Sequence, residues 1–355
     1  MRLLVAAGAS AGHVYPSLSF AQKLTQKYPS LELAFVTAQH GSAKEWIKKR
    51  GYKVFLISIR PFQYSFWKFF PWFYCFLRSF LESFFIIEKF RPEVVIGFGS
   101  YVSFPIVLEA ALLKKFTIIH EQNVSLGGAN KFLSHFVDKV ALSFKTGAPP
   151  SKKEVYTGYP LGDSLRSEDK EKARKFFGLD DKITILALGG SQGSLRINNE
   201  FKKAVTLLEK KEDFQFIHLS GKKDYFDLKK NYSYTTIKHC VFDFLSEMAL
   251  AYSLADIVVA RAGAGTIAEL SYFKKAAILI PYPYAGAHQV ENARALEKEN
   301  AAIVIEEKDL ERISLSDCLV RLMQYPHKRK ELEEQIGKFA PLSAAEDLVN
   351  LALSY

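Results

Sequence analysis

The chain has 355 residues, 48% hydrophobic and 24% charged, an ordinary globular composition with ample core for two domains of about 150 residues each. Three cysteines, Cys75, Cys240 and Cys318, stand far apart without metal-ligand spacing, which implies a reducing compartment and no disulfide. The net charge of +10 is uneven: Lys44 to Arg91 holds ten Lys/Arg against three Glu, together with all three tryptophans. The charge alone would allow a basic nucleic-acid binder, but that positive stretch is too apolar for a typical groove that tracks phosphates.

In chain order, Met1 to Val5 runs straight into a strand without a signal-peptide pattern, which reads as a cytoplasmic chain. Leu3 to Ala7 is a strand, Gly8 to His13 a small-residue turn, and Val14 to Tyr28 a helix with Pro16 in its first turn. Leu33 to Thr37 completes a βαβ opening suited to nucleotides, although a lone glycine turn is a weak signal. His13, at the junction of turn and helix, has the chemistry of a general base; from spacing alone a helix-start polar residue without catalytic role is the stronger reading.

After the helix Ser42 to Arg50 and the strand Lys53 to Ile59 comes Phe62 to Phe85, with thirteen aromatic residues in 24. Lys68, Arg78, Glu82 and Pro71 interrupt it, so it does not read as a transmembrane helix; aromatics interleaved with basic residues suit an interfacial segment on an anionic bilayer. The competing reading is an aromatic core and loop, with the helix Trp72 to Lys89 burying one face. The strand Val94 to Ile96 leads into a second small-residue turn, Gly97 to Tyr101, and the helix Phe104 to Leu113. The strand Phe116 to Ile119 ends in His120-Glu121-Gln122-Asn123, four polar side chains that are costly beside a buried strand unless paired or used. Helix Asn130 to His135 and strands Lys139 to Phe144 and Val155 to Thr157 follow. The hinge is Gly158 to Asp163.

A second βα series begins with the helix Ser167 to Phe177, where Ser167 is a candidate cap, and the strand Thr184 to Leu188. The loop Gly189 to Ser194 then offers N–H groups and a hydroxyl to an anion. Helices Asn198 to Leu208 and Lys222 to Asn231 alternate with strands Phe214 to Leu219 and Thr235 to Val241. The most informative stretch is Arg261 to Asn292. The strand Asp256 to Ala260 meets Gly263 and Gly265, and the helix Thr266 to Phe273 opens there with unpaired N–H groups fit for phosphate. Glu269, on or just past the first turn, is placed to grip sugar hydroxyls. His288, Gln289 and Asn292 follow the next strand, and the last two share a helix face. A helix cap plus a polar loop is the competing reading; two clusters in tandem favour a ligand crevice. The strand Ala302 to Ile305 and helices Leu315 to Met323, Arg329 to Phe339 and Ser343 to Leu353 end the chain. The sum is an α/β protein of two doubly wound parallel domains with glycine turns on both sides of one cleft.

These motifs, in this order, resemble the bacterial MurG family, the UDP-N-acetylglucosamine:lipid I N-acetylglucosaminyltransferases. The resemblance rests on Gly8 to Pro16, Gly97 to Pro105, His120 to Asn123 with Gly127 and Asn130, Gly189 to Gly193, Phe244 to Tyr252, Arg261 to Glu269, and His288 to Asn292. It implies two facing Rossmann-like domains in the GT-B arrangement. Residues 1–160 with a returning helix at 342–355 would form the acceptor and membrane domain, and 161–341 the UDP-sugar domain. It implies donor contacts at Ser10, Asn123, Ser191, Leu245, Gly263, Ala264, Gly265, Thr266, Glu269, His288, Gln289 and Asn292. Acceptor contacts are implied at Gly8, Gly12, Gly97, Gly99, Ser100, Tyr101 and Glu121, with His13 as the candidate base. Phe62, Phe66, Trp67, Phe69, Phe70, Trp72 and Phe73 correspond to a membrane patch. The implied reaction is an inverting transfer from UDP-GlcNAc to the 4-hydroxyl of MurNAc in lipid I, giving lipid II, with no metal or other cofactor. Expected partners are the anionic cytoplasmic face of the inner membrane and cell-wall synthesis or division proteins.

Three departures stand out. Ala9 and Ala11 replace two glycines of the first turn, which suggests an altered loop shape. Ser100 stands where glycine is usual, and the hinge reads Gly158-Tyr159-Pro160-Leu161-Gly162, without the family's donor-binding arginine. Arg166, four residues on, is a candidate substitute from a helix face. The rival readings are another GT-B glycolipid transferase and a non-catalytic UDP-sugar-binding scaffold. A dinucleotide oxidoreductase lacks its glycine fingerprint here.

Overall fold

The structure, a computed structural model, describes residues 1–61, 66–145, 151–190, 192–209, 213–284, 287–339, 341 and 343–355, without the side chains of 66–69. Phe62 and Ser191 therefore lie outside the described residues, as do the side chains of Phe66, Trp67 and Phe69. The chain forms two compact units, Met1–Gly162 with Pro341–Tyr355, and Asp163–Ala340.

The first unit alternates β1 (Arg2–Ala6), α1 (Ala11–Lys27), β2 (Glu32–Ala38), α2 (Ala43–Lys49), β3 (Lys53–Ile57), α3 (Phe66–Phe90), β4 (Val94–Gly97), α4 (Ser100–Leu112), β5 (Phe116–Glu121), α5 (Gly128–Leu133), β6 (Lys139–Leu142) and β7 (Glu154–Tyr156). All seven strands are parallel, in the order β3-β2-β1-β4-β5-β6-β7. Helices cover both sheet faces, so the central strands are continuous apolar runs: Leu3, Leu4, Val5 and Ala6 are all fully buried.

Two expectations change here. Helix α1 starts at Ala11, so Gly12 and His13 lie in its first turn and Pro16 in its second. Helix α3 is one uninterrupted 25-residue helix from Phe66, and its part Phe70–Phe90 is long and apolar enough to cross a membrane by length and composition. The interruptions read from the sequence do not break it. Pro71 falls near its start, and Arg78 and Glu82 pair one turn apart at 2.8 Å, which removes an isolated charge from the stripe. Glu82 also accepts the Ser58 hydroxyl at 2.8 Å, while Ser79, Ser83 and Ile87 are buried, so one face of α3 is a layer of this unit.

The second unit contains α6 (Lys170–Phe177), β8 (Ile183–Leu188), α7 (Leu195–Leu208), β9 (Phe214–Leu219), α8 (Tyr225–Tyr232), β10 (His239–Phe242), α9 (Met248–Leu254), β11 (Ile257–Ala260), α10 (Ala264–Phe273), β12 (Ala276–Leu279), α11 (His288–Lys298), β13 (Ile303–Val304), α12 (Leu315–Gln324) and α13 (Pro326–Ile336). Its parallel order is β10-β9-β8-β11-β12-β13. Helix α6 starts later than expected because Asp169, not Ser167, caps it, accepting from the Glu171 N–H at 3.3 Å. Strand β10 also starts late: Glu209 accepts from the Thr235 hydroxyl and the Thr236 N–H, both at 2.6 Å, and holds that segment out of the ladder.

The last helix, α14 (Ala344–Ala352), packs on α1 in the first unit, burying Leu348, Val349 and Ala352 beside Leu18 and Phe20. Gly158 makes room for this return. It has φ +82°, and a Cβ there would sit 2.4 Å from the Pro341 ring.

Two histidines are locked neutral inside the sheets. His120 Nε2 donates to the Gly158 carbonyl at 3.0 Å and its Nδ1 accepts from Gln122 at 3.0 Å. His218 Nε2 donates to Asn198 Oδ1 and its Nδ1 accepts from the Tyr232 hydroxyl, both at 3.0 Å. A second proton on His120 would point at the Gln122 amide donor, and burial lowers His120 to about 4 and His218 to about 3. The unfolded chain takes those protons near pH 6.5. Stability is therefore complete above pH 6.5 and falls as pH drops toward 4, by about 1.4 kcal/mol per pH unit for each histidine. Urea midpoints recorded between pH 7.5 and 4.5 should show this decline, and a flat profile from 6.5 to 5 would contradict it.

Candidate active site

In each sheet the strand order reverses beside the first strand, β1 or β8, and in open parallel sheets ligands bind at the carboxyl edge of such a reversal. In the first unit the loops after β1, β4 and β5 meet at this edge. Gly8 has no room for a side chain: a Cβ would lie 2.7 Å from both the His13 and Ser100 Cβ atoms. The absent side chain thus brings the β1 and β4 loops together, with His13 between them. Ser10 Oγ lies 2.7 Å from His13 Nδ1. With the proton on Nδ1 and donated to Ser10, the ring is neutral with its acceptor lone pair on Nε2, the tautomer a general base needs. His13 is half-buried. Neither Ala9 nor Ala11 takes a positive φ, so the two alanines leave the turn unstrained.

The strain lies at Ser100, with φ +67°, immediately after Gly99 at φ +70°. Gly97 ends β4, and Tyr101 is half-buried in the first turn of α4, its hydroxyl pKa raised by burial. Helices α1 and α4 both start without a side-chain cap, leaving their first N–H donors available at this edge. Glu121 is buried and its oxygens are already engaged. Oε1 accepts from the Asn123 N–H at 3.0 Å and Asn123 Nδ2 at 3.1 Å; Oε2 accepts from the Gly127 N–H and Asn130 Nδ2, both at 2.9 Å. This carboxylate folds the loop that carries Asn123.

In the second unit, α10 opens with Gly263 as an uncapped N-cap, followed by Ala264, Gly265 and Thr266. A Cβ at Gly263 would meet nothing closer than Thr266 Oγ1 at 3.8 Å, so the space above these N–H groups is open. The donors and the helix dipole favour an anion. One turn further, Glu269 accepts from the Tyr252 hydroxyl at 2.7 Å, and burial pushes its carboxyl up to about 7 against the opposing pull of that hydrogen bond. Leu245 is buried in the loop that leads into α9, the helix bearing Tyr252. Asn292 on α11 is fully buried and donates to the Ala262 carbonyl at 3.2 Å, which ties α11 to the α10 entry. Gln289 accepts from the Tyr282 N–H at 3.1 Å, and His288 Nδ1 is buried without a hydrogen-bond partner among the described residues.

Arg261 joins these loops. It is buried, donates to the Ile280 carbonyl at 3.0 Å and to Ser194 Oγ at 2.8 Å, and pairs with Glu307 at 2.6 Å. The sequence placed Arg261 at the head of the glycine-rich motif, but nothing in its spacing revealed these partners, which lie far along the chain. Arg166 corrects an expectation: it lies in the loop before α6, not on a helix face, because Asp169 caps α6 and the helix starts at Lys170. Its guanidinium is 76% exposed, 3.8 Å from Asp163.

The aromatic segment exposes one helical stripe, Phe70, Phe73, Tyr74, Leu77, Leu81 and Phe85. Trp72 turns inward instead, donating to the Arg60 carbonyl at 3.2 Å. The ring chain Phe80, Phe104, Phe132 and Phe136 carries the apolar face across α4 to α5, where Phe132 and Phe136 are exposed. Those last two, on α5 and in the turn after it, were missed because so short a segment has no periodic signal of its own.

Residues 3–142 match the Glycosyltransferase family 28 N-terminal domain and residues 184–348 the Glycosyltransferase family 28 C-terminal domain. The chain is 38% identical over 360 residues to the UDP-N-acetylglucosamine--N-acetylmuramyl-(pentapeptide) pyrophosphoryl-undecaprenol N-acetylglucosamine transferase of Thermodesulfovibrio yellowstonii, covering 100% of this chain and 98% of that protein. It is 34% identical to the protein of the same name from Syntrophus aciditrophicus, again over 100% and 98%. Among solved structures, that of Acinetobacter baumannii MurG matches with a TM-score of 0.83 at 26% identity, over 100% of this chain and 99% of that one.

The strained serine yields a direct test. Ser100→Gly should raise unfolding free energy by about 1 kcal/mol, because glycine adopts this conformation without the Cβ penalty. Equilibrium urea denaturation measures the change, and a loss of stability would mean that the serine side chain holds the turn.

Proposed function

The chain belongs to glycosyltransferase family 28, and on that premise we propose that it transfers N-acetylglucosamine from UDP-N-acetylglucosamine to the 4-hydroxyl of MurNAc in undecaprenyl-diphospho-MurNAc-pentapeptide. The observation that carries this reading is full-length identity to relatives named for that transfer, combined with an uncapped α10 start one turn before Glu269. The uridine diphosphate sits at the second unit. Its phosphates take the N–H groups of residues 264–266 and the loop that includes Ser191, its ribose takes Glu269, and its base takes the backbone at Leu245. Asn123, His288 and Gln289 read the sugar, the buried Asn292 holds α11 against the α10 entry instead of meeting the sugar as expected, and Ser10 assists beside His13. The acceptor diphosphate takes the glycine turns of the first unit, Gly8 to Gly12 and Gly97 to Tyr101.

The acceptor oxygen attacks the anomeric carbon as the bond to the β-phosphate oxygen breaks, which inverts that centre. The hydroxyl proton goes to His13 Nε2, and the leaving negative charge is met by the α10 donors. No cofactor takes part in this scheme. Arg166 adds charge for the donor, so Arg166→Ala weakens donor binding by about tenfold; unchanged affinity would discard that role.

The exposed apolar face of α3 and α5, flanked by Arg78 and Lys131, seats the enzyme peripherally on an anionic membrane, where the lipid acceptor resides. Phe73→Asp combined with Phe85→Asp should lower partition onto phosphatidylglycerol vesicles at least about tenfold, since each buried phenylalanine contributes about 1.5–3 kcal/mol. Equal sedimentation of variant and parent would refute the surface.

The reaction itself is tested by single-turnover transfer from radiolabelled UDP-GlcNAc to a lipid I analogue in EDTA. Labelled lipid should form, and His13→Ala should slow it by roughly 10²–10⁴-fold with donor affinity intact. Donor binding without product would point to a different lipid acceptor, and no donor binding to a non-catalytic scaffold.

A further inference from the structure

Tyr252 is a fully buried tyrosine whose hydroxyl reaches the donor half of the site. Its ring stacks on Phe273 at the end of α10, with centroids 5.2 Å apart and an 18° interplanar angle. Its hydroxyl donates to Glu269 Oε2 at 2.7 Å. The helix that carries it is held in place from α10: Lys275, just past α10, donates to the Ala255 carbonyl at 2.7 Å at the end of α9. Tyr252 therefore meets Glu269 in one fixed pose.

An ionised carboxylate has about four acceptor positions, and a protonated one loses some of them to its own O–H. Tyr252 occupies one position on Oε2. All of the others remain for ligand hydroxyls while Glu269 is charged, and fewer once it is protonated. The remaining charged groups around α10 are engaged elsewhere. Lys275 serves the α9 carbonyls, Glu333 of α13 faces Lys275, Arg329 donates to the Leu322 carbonyl, and Arg261 pairs with Glu307. Among the described residues, the polar group that meets Glu269 is the Tyr252 hydroxyl.

We propose that Tyr252 is a positioning residue for the nucleotide-sugar donor: its hydroxyl keeps the Glu269 carboxylate charged and turned so that the ribose hydroxyls can donate to it. The inference rests on the reading of Glu269 as the ribose carboxylate. Donor binding then draws a proton off the enzyme near neutral pH, because burial sets this carboxyl at about 7. Removing the phenol hydroxyl takes away the hydrogen bond that favours the charged form and moves the titration upward.

Calorimetric titration of the full-length protein with UDP-GlcNAc, from pH 6 to 9 in buffers of different ionisation enthalpy, tests this. The donor diphosphate, substituted at both ends, does not titrate in that range. For the parent, Kd should rise about tenfold from pH 8 to pH 6, with proton release centred near pH 7. Tyr252→Phe, which keeps the buried ring, should bind about fivefold more weakly at pH 7, match the parent at pH 9, and release its proton about one pH unit higher. Glu269→Gln should bind weakly at every pH without that release. A Tyr252→Phe deficit equal at all pH values would show a merely structural role and overturn the proposal, as would a profile coincident with the parent. A Glu269→Gln variant that binds like the parent would instead overturn the ribose reading beneath it. Thermal midpoints of all three proteins verify that each is folded.

Discussion

Every strand in each sheet runs the same way, so every helix that follows a strand starts at the same edge. That constraint gathers unpaired backbone N–H groups, and the positive ends of helix dipoles, at one rim of each unit. Side-chain caps are the exception: α6 and α7 are capped by Asp169 and Ser194, while α1, α4 and α10 are among the many helices that start without one. Leaving donors uncapped costs stability of about 1 kcal/mol per helix, and a ligand carrying phosphates recovers it.

Identical side chains take different parts according to what surrounds them. Glu121 ends strand β5 and Glu269 stands in the helix after β11, but Glu121 already accepts four N–H hydrogen bonds, so it shapes a loop. Glu269 has the Tyr252 hydroxyl and low-dielectric surroundings, so its charge responds to small changes. The histidines divide in the same way. His120 and His218 have both ring nitrogens committed inside the fold, whereas His13 is half-buried at a helix start and pairs with the exposed Ser10.

Helix α3 serves two solvents at once. Ile86, Ile87 and Phe90 complete the core of the first unit, while Phe70, Tyr74, Leu81 and Phe85 remain exposed. Hydropathy averaged along the helix cannot separate these faces, because both are apolar. The layer beneath the helix separates them, by covering one face and leaving the other as a patch that continues to Phe132 and Phe136.

Much of this was determined by the sequence alone. Short buried apolar runs such as Leu3 to Ala6 and Ile257 to Ala260 can form little but parallel strands, and glycine turns after them mark crevices, since both signals depend on neighbours along the chain. The aromatic density of residues 62–85 likewise sets that segment apart. Tertiary structure decided what depends on neighbours far along the chain. It set the cap of α6 at Asp169, the φ of +67° at Ser100, and the continuity of α3 through Pro71. It also decided that Tyr252 meets Glu269 and that Arg261 meets Ser194 and Glu307. Hydrogen bonds, burial and ionisation are properties of groups brought together by folding, and no spacing rule along one strand or helix contains them.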